Sequence, residues 1–288
     1  MNITRTILAM LLLVSLAGNT SFAQNKKPAK KADAKEKTTT ESAEKSYLIT
    51  VTKLHRNIDH KGTAAEWKAL EKEYFDKVTK KNDLIVGQEV LTHYFTEDNT
   101  EILLVTIYNS WADIENASAK NNELVKAAWP DETARNTFFD KREAFYANEH
   151  SDEILSTYPF AKLPKAEFTK PMIHYVRKDH FSFPKDGTEK EFRELLGKYR
   201  DEVINKNDFI KAYYPNVHAW GANKTEFTEV FVVESLADIE KMFDKDEELA
   251  KAAWPDKAGA DAYWDKYNKY FTGKHSDYLY MSVPELTK

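Results

Sequence analysis

The chain has 288 residues, 31% of them charged and 13% aromatic, with a formal net charge of −5 and no cysteine. The missing cysteine excludes disulfides, thiolate nucleophiles and Cys-ligated zinc. The acidic balance argues against a nucleic-acid partner, because binding a phosphate backbone rests on Lys and Arg.

Residues 1–23 carry Arg5, an apolar run from Ile7 to Gly18, and Asn19-Thr-Ser-Phe-Ala23. This is the pattern of a secretory signal peptide cut near Ala23. The apolar run is shorter than the roughly 18 to 20 residues that a spanning helix needs, and no other segment approaches that length, so no transmembrane segment is expected in the mature chain. The expected location is extracytoplasmic, either periplasmic or secreted. Residues 24–46 are read as a disordered linker rich in Lys, Ala and Thr: from Gln24 to Lys45 there are seven Lys against four acidic residues and no large apolar side chain.

From Val51 to Pro159 the chain returns at a constant spacing of 125 residues without a gap, with roughly a third of positions identical. Ser110-Trp-Ala-Asp-Ile-Glu115 recurs as Ser235-Leu-Ala-Asp-Ile-Glu240. The longest retained block, Glu123-Leu-Val-Lys-Ala-Ala-Trp-Pro-Asp131, recurs as Glu248-Leu-Ala-Lys-Ala-Ala-Trp-Pro-Asp256. Repeat 1 is placed at 47–160, a linker at 161–171 and repeat 2 at 172–288.

Each repeat opens with a strand, Tyr47 to His55 or Met172 to His180. A helix follows, started by the capping-box pairs Thr63/Glu66 and Thr188/Glu191 and ending near Asn82-Asp83 or Asn207-Asp208. Two strands joined by a polar link come next, Leu84 to Phe95 with Glu101 to Asn109, and Phe209 to Trp220 with Glu226 to Glu234. Ser110 and Ser235 are expected to cap a second helix that stops before Pro130 or Pro255. An added helix, with Pro in its first turn, carries Phe138, Phe139, Phe145 and Tyr146, or Tyr263, Trp264, Tyr267, Tyr270 and Phe271. Ile154 to Tyr158 and Leu279 to Val283 close each repeat as a last strand.

Strand, helix, strand, strand, helix, strand is the split βαβ order of a ferredoxin-like unit. The expected fold class is α+β: two tandem ferredoxin-like βαββαβ repeats, each with an added helix before the last strand, pairing their sheets as an intramolecular α+β barrel. On this element order, and on the hairpin followed by a Ser-x-x-Asp helix start, the chain resembles the dimeric α+β barrel superfamily in single-chain tandem form. That group includes antibiotic-biosynthesis-monooxygenase-like, NIPSNAP-like and stress-responsive barrel domains. The resemblance implies a range of activities, from cofactor-independent oxygenases and haem enzymes to proteins without known catalysis, and selects none of them.

Three histidines pair across the repeat: His55 with His180, His93 with His218, and His150 with His275. The strand ends of a ferredoxin-like unit place all of them at one pole, and neighbouring first and fourth strands would let His55 approach His150. With Trp129, Asp131 and Asp152 carried to the same pole, and Trp254, Asp256 and Asp277 as their copies, these twelve residues are the candidate ligand-binding set. Imidazole and carboxylate there suit a divalent metal, an anion or proton transfer. The alternative reading of the histidines is that they cap turns. The aromatic stripe of the added helix suits a flat ligand such as haem, a quinone or a phenol, although aromatics at helical spacing also fill cores. His174, where copy one has Ile49, makes the halves unequal. The leading expectation is an exported binder of a small apolar or aromatic ligand or of an envelope protein. The alternatives are a haem-associated or cofactor-independent oxygenase and a structural envelope protein.

Overall fold

The computed structural model describes residues 45–288; the expected signal peptide, and the expected linker up to residue 44, lie outside the described residues. Repeat 1 forms β1 (Leu48–Arg56), α1 (Ala64–Lys77), β2 (Gly87–Phe95), β3 (Glu101–Tyr108), α2 (Trp111–Ala128), α3 (Glu132–Glu143) and β4 (Tyr146–Thr157). Repeat 2 forms β5 (Ile173–Phe181), α4 (Glu189–Tyr199), β6 (Ala212–Trp220), β7 (Glu226–Val233), α5 (Ala237–Ala253), α6 (Lys257–Asn268) and β8 (Phe271–Ser282).

The eight strands close in the order β1-β3-β2-β8-β5-β7-β6-β4, and every neighbouring pair is antiparallel. Antiparallel pairing all the way round sends β1, β2, β5 and β6 in one direction and the other four strands back. The pseudo-two-fold axis relating the repeats therefore runs along the barrel axis. The ends of β1, β2, β5 and β6 share one pole with the starts of the other four strands.

Period-two alternation divides each strand between two environments. Leu54, Val90, Ile102 and Leu104 pack on Trp67 and Phe75 of α1, so their face is the outer, helix-covered one. Val51, Leu91, Leu103, Val105, Val176, Val230, Tyr278 and Tyr280 come from both repeats and pack together in the lumen. Both first helices start on the expected Thr, whose hydroxyl accepts from Glu66 N or Glu191 N. The glycine before each cap lies under an aromatic ring: a Cβ on Gly62 would come within 2.4 Å of Phe145, and one on Gly187 within 2.8 Å of Tyr270.

Four expectations need correction. The last strands are longer than the pattern suggests, beginning at Tyr146 and Phe271 rather than Ile154 and Leu279. Residues 148–152 and 272–275 are exposed and carry no apolar side chain, so no apolar alternation marks them, and pairing with β1 or β5 makes them strands. The added helices consequently end at Glu143 and Asn268, and Phe145, Tyr146, Tyr270 and Phe271 lie beyond them. Pro130 and Pro255 precede the N-caps rather than occupying the first turn; Asp131 and Asp256 are the caps, accepting from Ala134 N at 2.7 Å and Gly259 N at 2.8 Å. Ser110 caps α2 as expected, whereas Ser235 bonds Asp238 through its side chain and leaves α5 without a side-chain cap.

A buried asparagine anchors each repeat. Asn82 donates to Ala117 O and Asn121 Oδ1 and accepts from Leu84 N. Asn207 repeats this with Met242 O, Asp246 Oδ1 and Phe209 N. Each ties the chain after the first helix to the second helix, and each is fully buried. Replacing either by Ala strands buried polar groups, so Asn82→Ala and Asn207→Ala are each expected to lower stability by about 2 kcal/mol or more in urea unfolding. A loss under about 0.5 kcal/mol would show that water replaces the anchor.

Candidate functional site

All six paired histidines lie near the expected pole, but they do not converge. His55 pairs with Thr100 Oγ1 and Asp98 Oδ2, each at 3.0 Å, and His180 pairs with Thr225 Oγ1 at 3.0 Å. His93 pairs with Thr96 Oγ1 at 2.8 Å. These imidazoles fasten the β2–β3 and β6–β7 turns. His150 does not meet His55, because its register partner on β1 is Leu54, and alternation puts it on the outer face. It pairs instead with Asp152 at 3.3 Å, as His275 does with Asp277 at 3.2 Å. Trp129 and Asp131 are not carried to the pole either. Trp129 packs on Val78 and under Lys77 at the far end of α1, stacked on Phe138 at 4.3 Å, with Trp254 stacked on Tyr263 at 4.1 Å in the copy.

Among the described residues no three His, Asp or Glu side chains come together as a metal site requires. Haem fares no better. The pole imidazoles are partly exposed or held by turn hydroxyls, and His174 is buried in the lumen with Nε2 at 3.2 Å from Glu89.

Side chains of both repeats fill the lumen, which removes it as the ligand pocket. Lys53 and its copy Lys178 pair with Glu101 and its copy Glu226 at 2.6 and 3.2 Å. Each pair is then reached from the opposite repeat, Glu101 by the Tyr280 hydroxyl at 2.9 Å and Lys178 by Glu153 at 2.9 Å. Buried Asn216 Oδ1 and Thr228 Oγ1, directly opposite in register, have no protein partner.

Chemical asymmetry is concentrated on the outer face of repeat 2. Arg177 stands in register between Glu229 on β7 and Asp277 on β8, and its Nε donates to Asp179 at 2.7 Å. Tyr213 donates to Glu229 at 2.5 Å, and Tyr175 to Asp277 at 2.6 Å. The guanidinium thus pairs with Asp179 and acts on Glu229 at longer range. Burial, with Asp179 adding repulsion, lifts the Glu229 carboxyl to about 7 against the opposing effect of Tyr213 and Arg177. Copy one has Thr52, Leu54, Gln88 and Leu104 at the positions of Arg177, Asp179, Tyr213 and Glu229. Its polar network is elsewhere, between α1, α3 and β4, where Arg142 and Tyr146 donate to Glu71 and Trp67 donates to Tyr146.

Next to this cluster, a surface groove of about 340 Å³ lies between α5, α6 and the end of α4. Tyr199, Asp246, Ala250, Trp254, Ala260 and Trp264 line it, together with the ion-paired Glu247 and Lys251. Trp254 Nε1 is buried without a partner. Asp246 accepts from Asn207, and burial raises its carboxyl to about 6 against the opposing effects of Asn207, Lys162 and the Tyr199 hydroxyl. In repeat 1 the corresponding residues are Val125 for Ala250, Arg135 for Ala260 and Asn121 for Asp246. Arg135 there folds back onto Trp129 O at 3.1 Å. Two large-to-small differences thus open a groove in one copy, and a carboxylate stands in it. A larger depression, about 480 Å³, lies on the exposed side of α1, but its charged groups are already engaged, Lys68 with Glu285 and Lys72 with Asp76.

The architecture is that of a dimeric α+β barrel with both halves in one chain. No protein-family model matches the chain, and the search of curated proteins gives no significant match. Among solved structures it is similar to a candidate monooxygenase from Fusobacterium nucleatum subsp. nucleatum, with 12% identity, 82% of this chain and 92% of that one covered, and a TM-score of 0.50. A candidate monooxygenase from Lactobacillus acidophilus shares 8% identity over 84% and 95% of the chains, with a TM-score of 0.47. A variant chlorite dismutase from Candidatus Nitrospira defluvii shares 10% over 84% and 92%, with a TM-score of 0.46. Identities this low establish the fold and leave activity open.

Glu229 gives a pH signature. Its folded pKa of about 7 exceeds the unfolded value of 4.5, so the folded state holds the proton more tightly between them. Stability is therefore expected to fall as pH rises from about 4.5 to 7, by on the order of 2–3 kcal/mol from this group. Glu229→Gln should remove that slope in thermal melts recorded across the window. An unchanged slope would place the titration on another group.

Proposed function

We propose that the protein is an exported binding protein whose ligand, a small flat apolar or aromatic molecule, lies in the groove between α5 and α6. The observation that carries this reading is the local divergence of two copies of one scaffold. Ala250 and Ala260 open space where Val125 and Arg135 fill it, beside Trp254 and Trp264. Aromatic walls with one or two fixed polar groups are the usual lining of a small-molecule site. One ligand per chain follows from the asymmetry. Export rests on the leader pattern of residues 1–23, and the envelope role on the Lys-rich segment after it; both are readings of sequence.

An oxygenase, in line with the names of the structural neighbours, is the second reading. It is favoured by the buried Glu229–Tyr213 pair, whose carboxyl changes protonation near neutral pH and would serve as an acid–base group.

The groove is tested by filling it. Saturation-transfer NMR with 4-ethylphenol as probe is expected to report one site on the protein. The double variant Ala250→Val with Ala260→Arg, which imports the side chains of copy one, should weaken that binding about tenfold or more while the melting temperature holds. Undiminished binding by the filled variant would move the ligand elsewhere.

A further inference from the structure

The groove holds one more difference between the repeats, and it concerns charge. Where copy one has Asn121, accepting from Asn82 at 2.8 Å, the groove has Asp246, accepting from Asn207 at the same 2.8 Å. The anchor is equally served by either side chain, so the fold does not require the charge. Among the described residues no Lys, Arg or His nitrogen comes within ion-pair distance of Asp246. The cations around it are committed elsewhere. Lys162 donates to the carbonyls of Ile204 and Asn207 at 2.8 Å each and acts on Asp246 only at longer range. Lys251 is paired with Glu247 on the rim. Lys198 lies over the rings of Trp254 and Tyr263 at 5.1 and 5.7 Å, an ammonium already seated on the aromatic wall.

A partly buried carboxylate with no contact ion pair, facing a groove walled by Tyr and Trp, matches the requirements of a cation with a flat apolar body. The carboxylate supplies charge, and the ring faces attract an ammonium through their quadrupoles. We infer that the ligand of this groove is an aromatic amine, its ammonium directed to Asp246 and its ring laid along Trp254 and Trp264. The inference rests on the groove reading above and adds the ligand's charge to it.

Three probes of one shape separate the two ideas: tyramine as the cation, 4-ethylphenol as its neutral counterpart, and 3-(4-hydroxyphenyl)propionate as an anion. Titrations of the full mature chain at pH 7.5 are expected to give tyramine about tenfold tighter than 4-ethylphenol, with the anion weakest. Asp246→Asn, which installs the side chain that copy one tolerates at the same anchor, should bring tyramine within about twofold of 4-ethylphenol. If 4-ethylphenol binds and is lost on filling the groove, but tyramine has no advantage or the anion binds best, the amine assignment is overturned and the groove stands. If 4-ethylphenol and tyramine both bind the filled variant as well as the wild type, the groove itself is overturned. If no probe binds the wild-type chain, both are overturned.

Discussion

Closure of β2 on β8 and of β4 on β6 is the constraint from which the rest of the molecule follows. A four-stranded sheet with helices on one face has an uncovered apolar face and two edges of unpaired amides and carbonyls, and water-exposed edges invite pairing with other chains. Duplication supplies a second sheet with the same needs. Joining the edges satisfies both faces and all four edges at once. The lumen then becomes a shared core in which the Lys53–Glu101 and Lys178–Glu226 pairs of the two repeats are completed across the repeat boundary by Tyr280 and Glu153. A charge placed there without its partner would carry a heavy desolvation cost, so these pairs also fix which sheet edges meet.

With the lumen full and the pseudo-two-fold along its axis, chemistry is displaced to the outside of the sheets, where each repeat packs its own helices. Because the lumen couples the halves, its symmetric ion pairs stay duplicated. The outer faces carry no such coupling and have diverged. Repeat 1 places its buried ions between α1 and α3, at Glu71 and Arg142. Repeat 2 makes that region aromatic, with Phe192, Leu196, Tyr267 and Phe271, and moves its ions onto the strands, around Arg177 and Glu229. The groove is a consequence of the same freedom, since small residues at 250 and 260 leave open what Val125 and Arg135 close.

Much of the fold was legible in the chain because its signals are local. Thr63 and Thr188 cap helices through side chains three residues from their partners, and hairpin links mark themselves by polarity. The long last strands were illegible for the opposite reason: Asn148 to Asp152 are polar and exposed, and only hydrogen bonding to β1 makes them a strand. The retained Trp-Pro-Asp block was visible, but Pro130 and Pro255 drew the expected helix start too early and hid Asp131 and Asp256 as the caps. The candidate histidine cluster failed on alternation, which sends His150 to the face opposite His55, and on turn hydroxyls that were nearer than any second imidazole.

The sequence by itself determined the duplication, the order of elements and the pairing of the two sheets, because an apolar face repeated twice has one economical partner, its own copy. Tertiary structure alone decided which side chains share a space. Arg177, Asp179, Glu229 and Asp277 come from three strands, and Tyr199, Asp246, Trp254 and Trp264 from three helices, with spacings that carry no pattern. Their proximity arises when helices dock on the outer face of a closed barrel. Copy one holds the same backbone with the space filled, so side-chain volume at two positions, and not chain topology, decides whether a site exists.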